Sequence, residues 1–338
     1  MTSEVTARAR ALVADRLPEA RRLGQALAEL VDEPESFVNV LRDGLVNLAD
    51  DEYAAEQERV APGSGAVVGV RWPLVHAVEK ELRRPLSGYS AASALWLAQR
   101  LAAEQERELR LFALVALERS LADDSERSWQ LMRRLARAAN DWVSVDSLAG
   151  LYAHGLILER FRWAELEQLV YSDDPWERRL VGSTVATIPF RLPVGRRAEL
   201  RPTPGLILIK SLIGDAQAEV QKALSWALRS WYEVDAEGVI EVLRDEASQA
   251  RATDDGHRAW VVRDALTLPA HDPDFVAELR AVLEGVRRRS GAAPTSAASV
   301  IAASFRAPAG AAGTDLAELA DQALNEQGRR QRLAGSRR

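Results

Sequence analysis

The sequence predicts an all-α protein built as a repeat solenoid with a basic concave surface, and three observations carry that prediction. Apolar residues recur at i, i+3, i+4 and i+7 through almost every periodic segment, the spacing that gathers them on one helix face. The β-branched alternation of strands is nearly absent. From about residue 105 the helical segments come in pairs joined by short links, each pair near 40 residues long. That is the period of HEAT-like and armadillo-type repeats. No clean consensus repeat recurs, so periodicity alone leaves a helical bundle open beside the solenoid.

Taken in order, the predicted helices run over 5–31, 35–49, 51–59, 72–83, 91–102, 105–122, 126–139, 144–159, 163–171, 175–187, 204–213, 216–232, 236–249, 257–267 and 273–289. Their ends carry capping chemistry. Asp174 before Pro175 is an N-cap followed by proline at the first helical position, and Asp215 and Asp235 precede further helices. The first three helices make an acidic extension over 1–60 that packs on the solenoid, and 61–289 is the repeat domain. Within it, APGSGAVVG (61–69) is a glycine-rich loop without the GxxxxGK[ST] pattern or a preceding strand, which argues against a phosphate-cradling P-loop. A second break, 188–204, is rich in proline and arginine. The Ala/Ser/Gly/Pro segment 290–313 reads as disordered, and a short helix (315–326) and a basic tail complete a partly disordered 290–338.

At 338 residues, with 47% apolar and 28% charged side chains, the chain has the composition of a globular protein. It contains no cysteine, which excludes disulfide frameworks, thiolate nucleophiles and iron–sulfur ligation. The histidines His76, His154, His257 and His271 form no i,i+4 pair and no HExxH, so no metal site is expected. With no apolar leader and no apolar run approaching about 18 residues, the expectation is a soluble, cytoplasmic protein without a membrane partner, and a capped solenoid favours a monomer. The net charge of −6 lies wholly in residues 1–60, while 61–338 is neutral. Basic charge is concentrated in 176–230, where Arg178, Arg179, Arg191, Arg196, Arg197, Arg201, Lys210, Lys222 and Arg229 face only four acids. Such a stretch suits either a phosphate-facing surface or a solvated helix face.

Three stretches hold the candidate chemistry. In NDWVSVDSLAG (140–150), Trp142 and Asp146 stand four apart, so an indole and a carboxylate project side by side from one helix. In isolation the pair also describes a packed tryptophan beside a capping aspartate. YSDDPWERRLVGSTVATI (171–188) opens a helix with Trp176, Glu177, Arg178 and Arg179. In AEVQKALSWALRSWYEVD (218–235), Trp226 follows Lys222 by one turn.

In this order, WVSVDS, WERR and QKALSWALRSW resemble the DNA alkylation repair family of AlkD-like HEAT-repeat glycosylases, with weaker similarity from GVRWPLV (69–75) to about residue 250. The resemblance implies that Asp146 is the catalytic aspartate. It also implies that Trp142 and Trp226 flank the lesion nucleotide and that Arg179 contacts the DNA backbone, with Arg178, Lys222, Arg191, Arg196 and Arg197 as further DNA-binding candidates. The chain departs from the family pattern at Asp141, where a second tryptophan is expected, at Ala218, Glu219 and Val220, where aromatic residues are expected, and at Ser225, where a glycine is expected. Trp72, Trp96, Trp129, Trp163, Trp231 and Trp260 read as core packing, and Asp173 and Asp174 as helix caps.

The implied activity is hydrolysis of the N-glycosidic bond of cationic N3- or N7-alkylated purines in duplex DNA. A purine that already carries positive charge leaves without a general acid, so no cofactor is expected. A carboxylate and indole faces can stabilise the oxocarbenium-like sugar, and the carboxylate can orient water. The rival from another class is a non-catalytic HEAT scaffold binding DNA, RNA or protein.

Overall fold

The computed structural model describes residues 2–306. Its helices are α1 (Thr2–Ala28), α2 (Pro34–Asn47), α3 (Asp51–Val60), α4 (Trp72–Leu86), α5 (Ala91–Ala102), α6 (Arg107–Leu121), α7 (Ser125–Ala138), α8 (Trp142–Leu158), α9 (Arg162–Gln168), α10 (Pro175–Thr187), α11 (Pro202–Leu212), α12 (Ala218–Tyr232), α13 (Ala236–Thr253), α14 (Gly256–Ala265), α15 (Pro273–Val282) and α16 (Ala297–Arg306). Short 3-10 turns at Leu169–Tyr171, Ile188–Arg191 and Val194–Glu199 complete the chain, and among the described residues there is no strand. Each helix predicted up to residue 289 has an observed counterpart, and all but the last agree to within about a turn at their ends; the last, expected over 273–289, stops at Val282.

The helices form the two-layered stack of a repeat solenoid. Along one layer α4, α6, α8, α10, α12 and α14 each pack against the next, and α5, α7, α11 and α13 lie behind their partners α6, α8, α12 and α14. Within the repeats the second helix of each pair therefore lines one continuous wall. Glycine sets the spacing where two helices touch most closely. An added Cβ at Gly182 of α10 would lie 2.8 Å from the Ala223 side chain and 3.0 Å from the Ala223 carbonyl carbon on α12. One buried apolar core runs without interruption from Ala20 to Ala298. The acidic N-terminal segment shares it, because α1 lies along α4 and α2 packs on α5.

Two expectations change. Residues 290–306, read from composition as disordered, are built into the solenoid: Thr295 donates its backbone N–H to the Gly214 carbonyl (2.9 Å), and α16 packs on α11. Its buried face is Ala298 and Ala302, side chains too small to leave a hydrophobic period in the sequence. Residues 307–338, including the predicted helix 315–326 and the basic tail, lie outside the described residues. The second change concerns tryptophan. Trp129 and Trp231 are buried as expected, but Trp72 and Trp96 are exposed, and Trp72 stacks on His76 with ring centroids 5.4 Å apart.

Candidate active site

The site is assembled by α8, α10 and α12. Helix α8 starts at Trp142 because Asp141 caps it: the Asp141 carboxylate accepts from the Ser144 backbone N–H (3.0 Å) and the Ser144 hydroxyl (2.6 Å). The residue that departs from the family pattern thus fixes where the helix begins. Trp142 and Asp146 follow on one face, a turn apart. The Trp142 indole is 36% exposed, and its Nε1 donates to the Val60 carbonyl at 3.2 Å.

Asp146 reaches across to α10. Arg179 grips it with two hydrogen bonds, Nε to Oδ1 (3.0 Å) and Nη2 to Oδ2 (2.7 Å), and the Ser183 hydroxyl donates to Oδ1 at 2.6 Å. A carboxylate offers about four acceptor positions. Three are taken here, which leaves one on Oδ2. The Asp146 side chain remains 20% exposed while that of Arg179 is 6% exposed, so the carboxylate faces solvent on a buried guanidinium support. Arg179 Nη1 continues to α12, donating to the Glu219 carbonyl (2.7 Å) and to Glu219 Oε2 (3.1 Å). Lys222 Nζ in turn pairs with Glu219 Oε1 at 2.6 Å, and half-buried Trp226 stands one turn beyond Lys222. One chain of contacts therefore joins α8, α10 and α12 through Asp146, Arg179, Glu219 and Lys222.

Of the other predicted DNA-binding residues, Arg191 lies nearest. Its Nε donates to the Gly150 carbonyl (2.7 Å), one turn past Asp146, and its Nη1 pairs with Glu118 at 3.1 Å. Burial pulls its pKa down. Arg178 points away from the site, committed to the buried carboxylate of Asp215 (2.7 Å) and to the Ser172 carbonyl (2.8 Å). Arg196 and Arg197 stand beyond the other end of α10, where they pair with Glu199 and Glu233. The structure does not bring these three to Asp146. All six predicted DNA-binding residues carry a carboxylate partner, so the charge of these six is balanced in space.

Sequence reasoning passed over Ser183 and Glu219. Ser183 had a readable signal, one helical turn after Arg179 on the same face. Glu219 had none, because its role depends on α12 lying against α10. Among the described residues no three His, Asp or Glu side chains are grouped to hold a metal, and no helix is long and apolar enough to cross a membrane.

What the arrangement offers is a fixed negative charge beside an indole face, both open to solvent, with one lone pair left to orient a small molecule. Comparison with known proteins agrees in kind. The family described as "DNA alkylation repair enzyme" matches residues 41–267, more than half of the chain and beginning within the acidic N-terminal segment. Among solved structures, a predicted DNA alkylation repair enzyme from Enterococcus faecalis superposes with a TM-score of 0.52 at 15% identity, covering 66% of this chain and 98% of that one. At that identity the likeness concerns the fold. No curated protein sequence matches. On the family match, the chain belongs to the DNA alkylation repair enzyme family.

Proposed function

We propose that the protein is a DNA glycosylase that hydrolyses the N-glycosidic bond of cationic N3- and N7-alkylated purines in duplex DNA. The observation that carries this reading is the Asp146 carboxylate, clamped by Arg179 and Ser183 yet still open to solvent, one turn from an exposed Trp142. The positive charge on an alkylated purine makes the base a leaving group that needs no proton. As the bond breaks, positive charge moves to the deoxyribose, and Asp146 supplies a preorganised counter-charge whose orientation costs nothing at the moment of reaction. Trp142 and Trp226 add indole faces to the same cation. The free position on Asp146 Oδ2 orients the attacking water, whose proton leaves to solvent as the sugar hydroxyl forms.

Arg179 is the support of that carboxylate: its side chain is 6% exposed and its three guanidinium nitrogens are engaged by Asp146 and Glu219. Lys222, with 56% of its side chain exposed, is the more accessible cation. In this reading the chain acts on duplex DNA as a cytoplasmic monomer and needs no cofactor.

The rival is a non-catalytic scaffold binding nucleic acid or protein, and its protein-binding form is favoured by one observation: the carboxylate partner on each predicted phosphate contact. Single-turnover release of 7-methylguanine from duplex DNA separates the two. The glycosylase reading expects release, strong slowing by Trp142→Ala and Trp226→Ala, and little release of a neutral base. Tight, salt-sensitive binding without release supports the scaffold.

A further inference from the structure

On the α6 side of α8, turned away from Asp146, a cavity of about 300 Å³ lies among α6, α7 and α8 beside the glycine-rich loop. Its walls divide by chemistry. Leu111, Leu114, Leu135 and Leu148 give an apolar floor, while Arg107, Arg110, Asp141 and Ser144 give a polar end. The loop reaches this position because Gly63 and Gly65 adopt φ of +94° and +80°, the left-handed region that glycine occupies without strain. At Gly65 a Cβ would also come within 2.6 Å of the Gln105 carbonyl oxygen.

Beside the polar end a buried guanidinium is short of acceptors. Arg107 is 4% exposed, and its Nε and Nη1 have no hydrogen-bond partner among the described residues. The carboxylate paired with it, Glu108, stands 3.7 Å from Nη2 and is occupied by the Val68 and Gly69 backbone N–H groups at 3.0 and 2.9 Å. Arg110 donates only to carbonyl oxygens, those of Glu104, Gln105 and Ser64. Asp141, the carboxylate that lines the cavity, is taken up by Ser144. Glu108 and Asp141 balance the two guanidiniums in formal charge, but both are satisfied by other donors. The first turns of α6 and α8 also open here, and the positive ends of both helix dipoles favour an anion. A buried charged donor left unsatisfied keeps its full desolvation penalty.

We propose that this cavity is a binding site for a small amphipathic anion, a carboxylate with a short hydrocarbon body. The head sits at Arg107 and the first turns of α6 and α8, and the body lies over the four leucines. The site is separate from the glycosylase reading, and its test needs no activity.

Hexanoate titrated into the full chain by calorimetry is the direct probe, with hexanol and inorganic phosphate as comparisons. Saturable hexanoate binding is expected, at least about tenfold tighter than either comparison, and about tenfold weaker in Arg107→Gln. Should Arg107→Gln fail to fold, Ala138→Phe serves instead. Ala138 lies at the exposed rim of the cavity, and the added ring fills it without touching the buried charges. No binding at about 10 mM, equal binding of hexanol or phosphate, or unchanged binding in Ala138→Phe overturns the proposal. Displacement of hexanoate by a short undamaged duplex would assign the site to a DNA phosphate and overturn it equally. Loss of base release with hexanoate binding intact leaves this inference standing while the glycosylase reading fails.

Discussion

Replacing Arg179 with methionine removes the group that ties three helices together at the site. Methionine keeps the apolar stem but deletes two hydrogen bonds to Asp146 and two to Glu219. Removing one partner of a buried ion pair costs about 3–5 kcal/mol. Here Asp146 is 20% and Glu219 31% exposed, so water takes up part of the lost hydrogen bonding. That places the expected loss at the lower end, about 3 kcal/mol. Urea unfolding reads it as a lower midpoint with an unchanged slope. Combining Arg179→Met with Asp146→Asn isolates the pair itself, and a coupling energy of about 1.5–3 kcal/mol is expected. An Arg179→Met chain within about 0.5 kcal/mol of wild type, or a cycle with no coupling, would refute the view that Arg179 holds Asp146 in place.

Three other outcomes follow from the same geometry. Gly182→Ala should lose about 1–3 kcal/mol in urea unfolding, although alanine suits a helix better by about 1 kcal/mol, because its Cβ would meet the α12 backbone; a stabilised variant would contradict the close α10–α12 packing. Lys222→Ala should weaken duplex binding and lower the slope of log affinity against log salt by about 1, and an unchanged slope would remove Lys222 from the interface. Burial, with Arg191 nearby for His154, holds His154 and His271 below the ordinary histidine range. The unfolded chain therefore takes up protons first as pH falls, so stability present at neutral pH is lost on acidification through about 6.5. His154→Gln should flatten that loss below about pH 6.5, and an unaltered profile would show that His154 does not contribute.

The helices were legible because each buries one face, and that requirement writes a 3.6-residue period into the sequence. Helix α16 escaped detection for the same reason: it packs with Ala298 and Ala302, which leave no such period. The Trp142–Asp146 pair was visible as a spacing within one helix, and the cap at Asp174 as a local motif. Contacts between helices were not. Nothing in the sequence says that Arg178, adjacent to Arg179, turns instead to Asp215, or that Arg196 and Arg197 sit at the far end of α10. The departures from the family pattern acquire meaning only in space. Asp141 replaces an aromatic side chain with a helix cap, and Glu219 replaces another with a carboxylate that holds Arg179 from the α12 side. A count of charges along 176–230 includes Glu199, Asp215 and Glu219 but misses Glu118, Glu233, Asp245 and Asp264, which the fold brings against Arg191, Arg197, Lys210 and Arg229.

The central claim is that the Asp146 carboxylate stabilises the sugar cation that develops as the base departs. Its most direct test compares wild type and Asp146→Asn for single-turnover release of 7-methylguanine from a duplex, with DNA in excess of the dissociation constant of both. Loss of a preorganised charge of this kind is worth about 2.7–4 kcal/mol, a slowing of about 10²–10³-fold, with duplex binding retained. Release by Asp146→Asn at the wild-type rate would contradict the account.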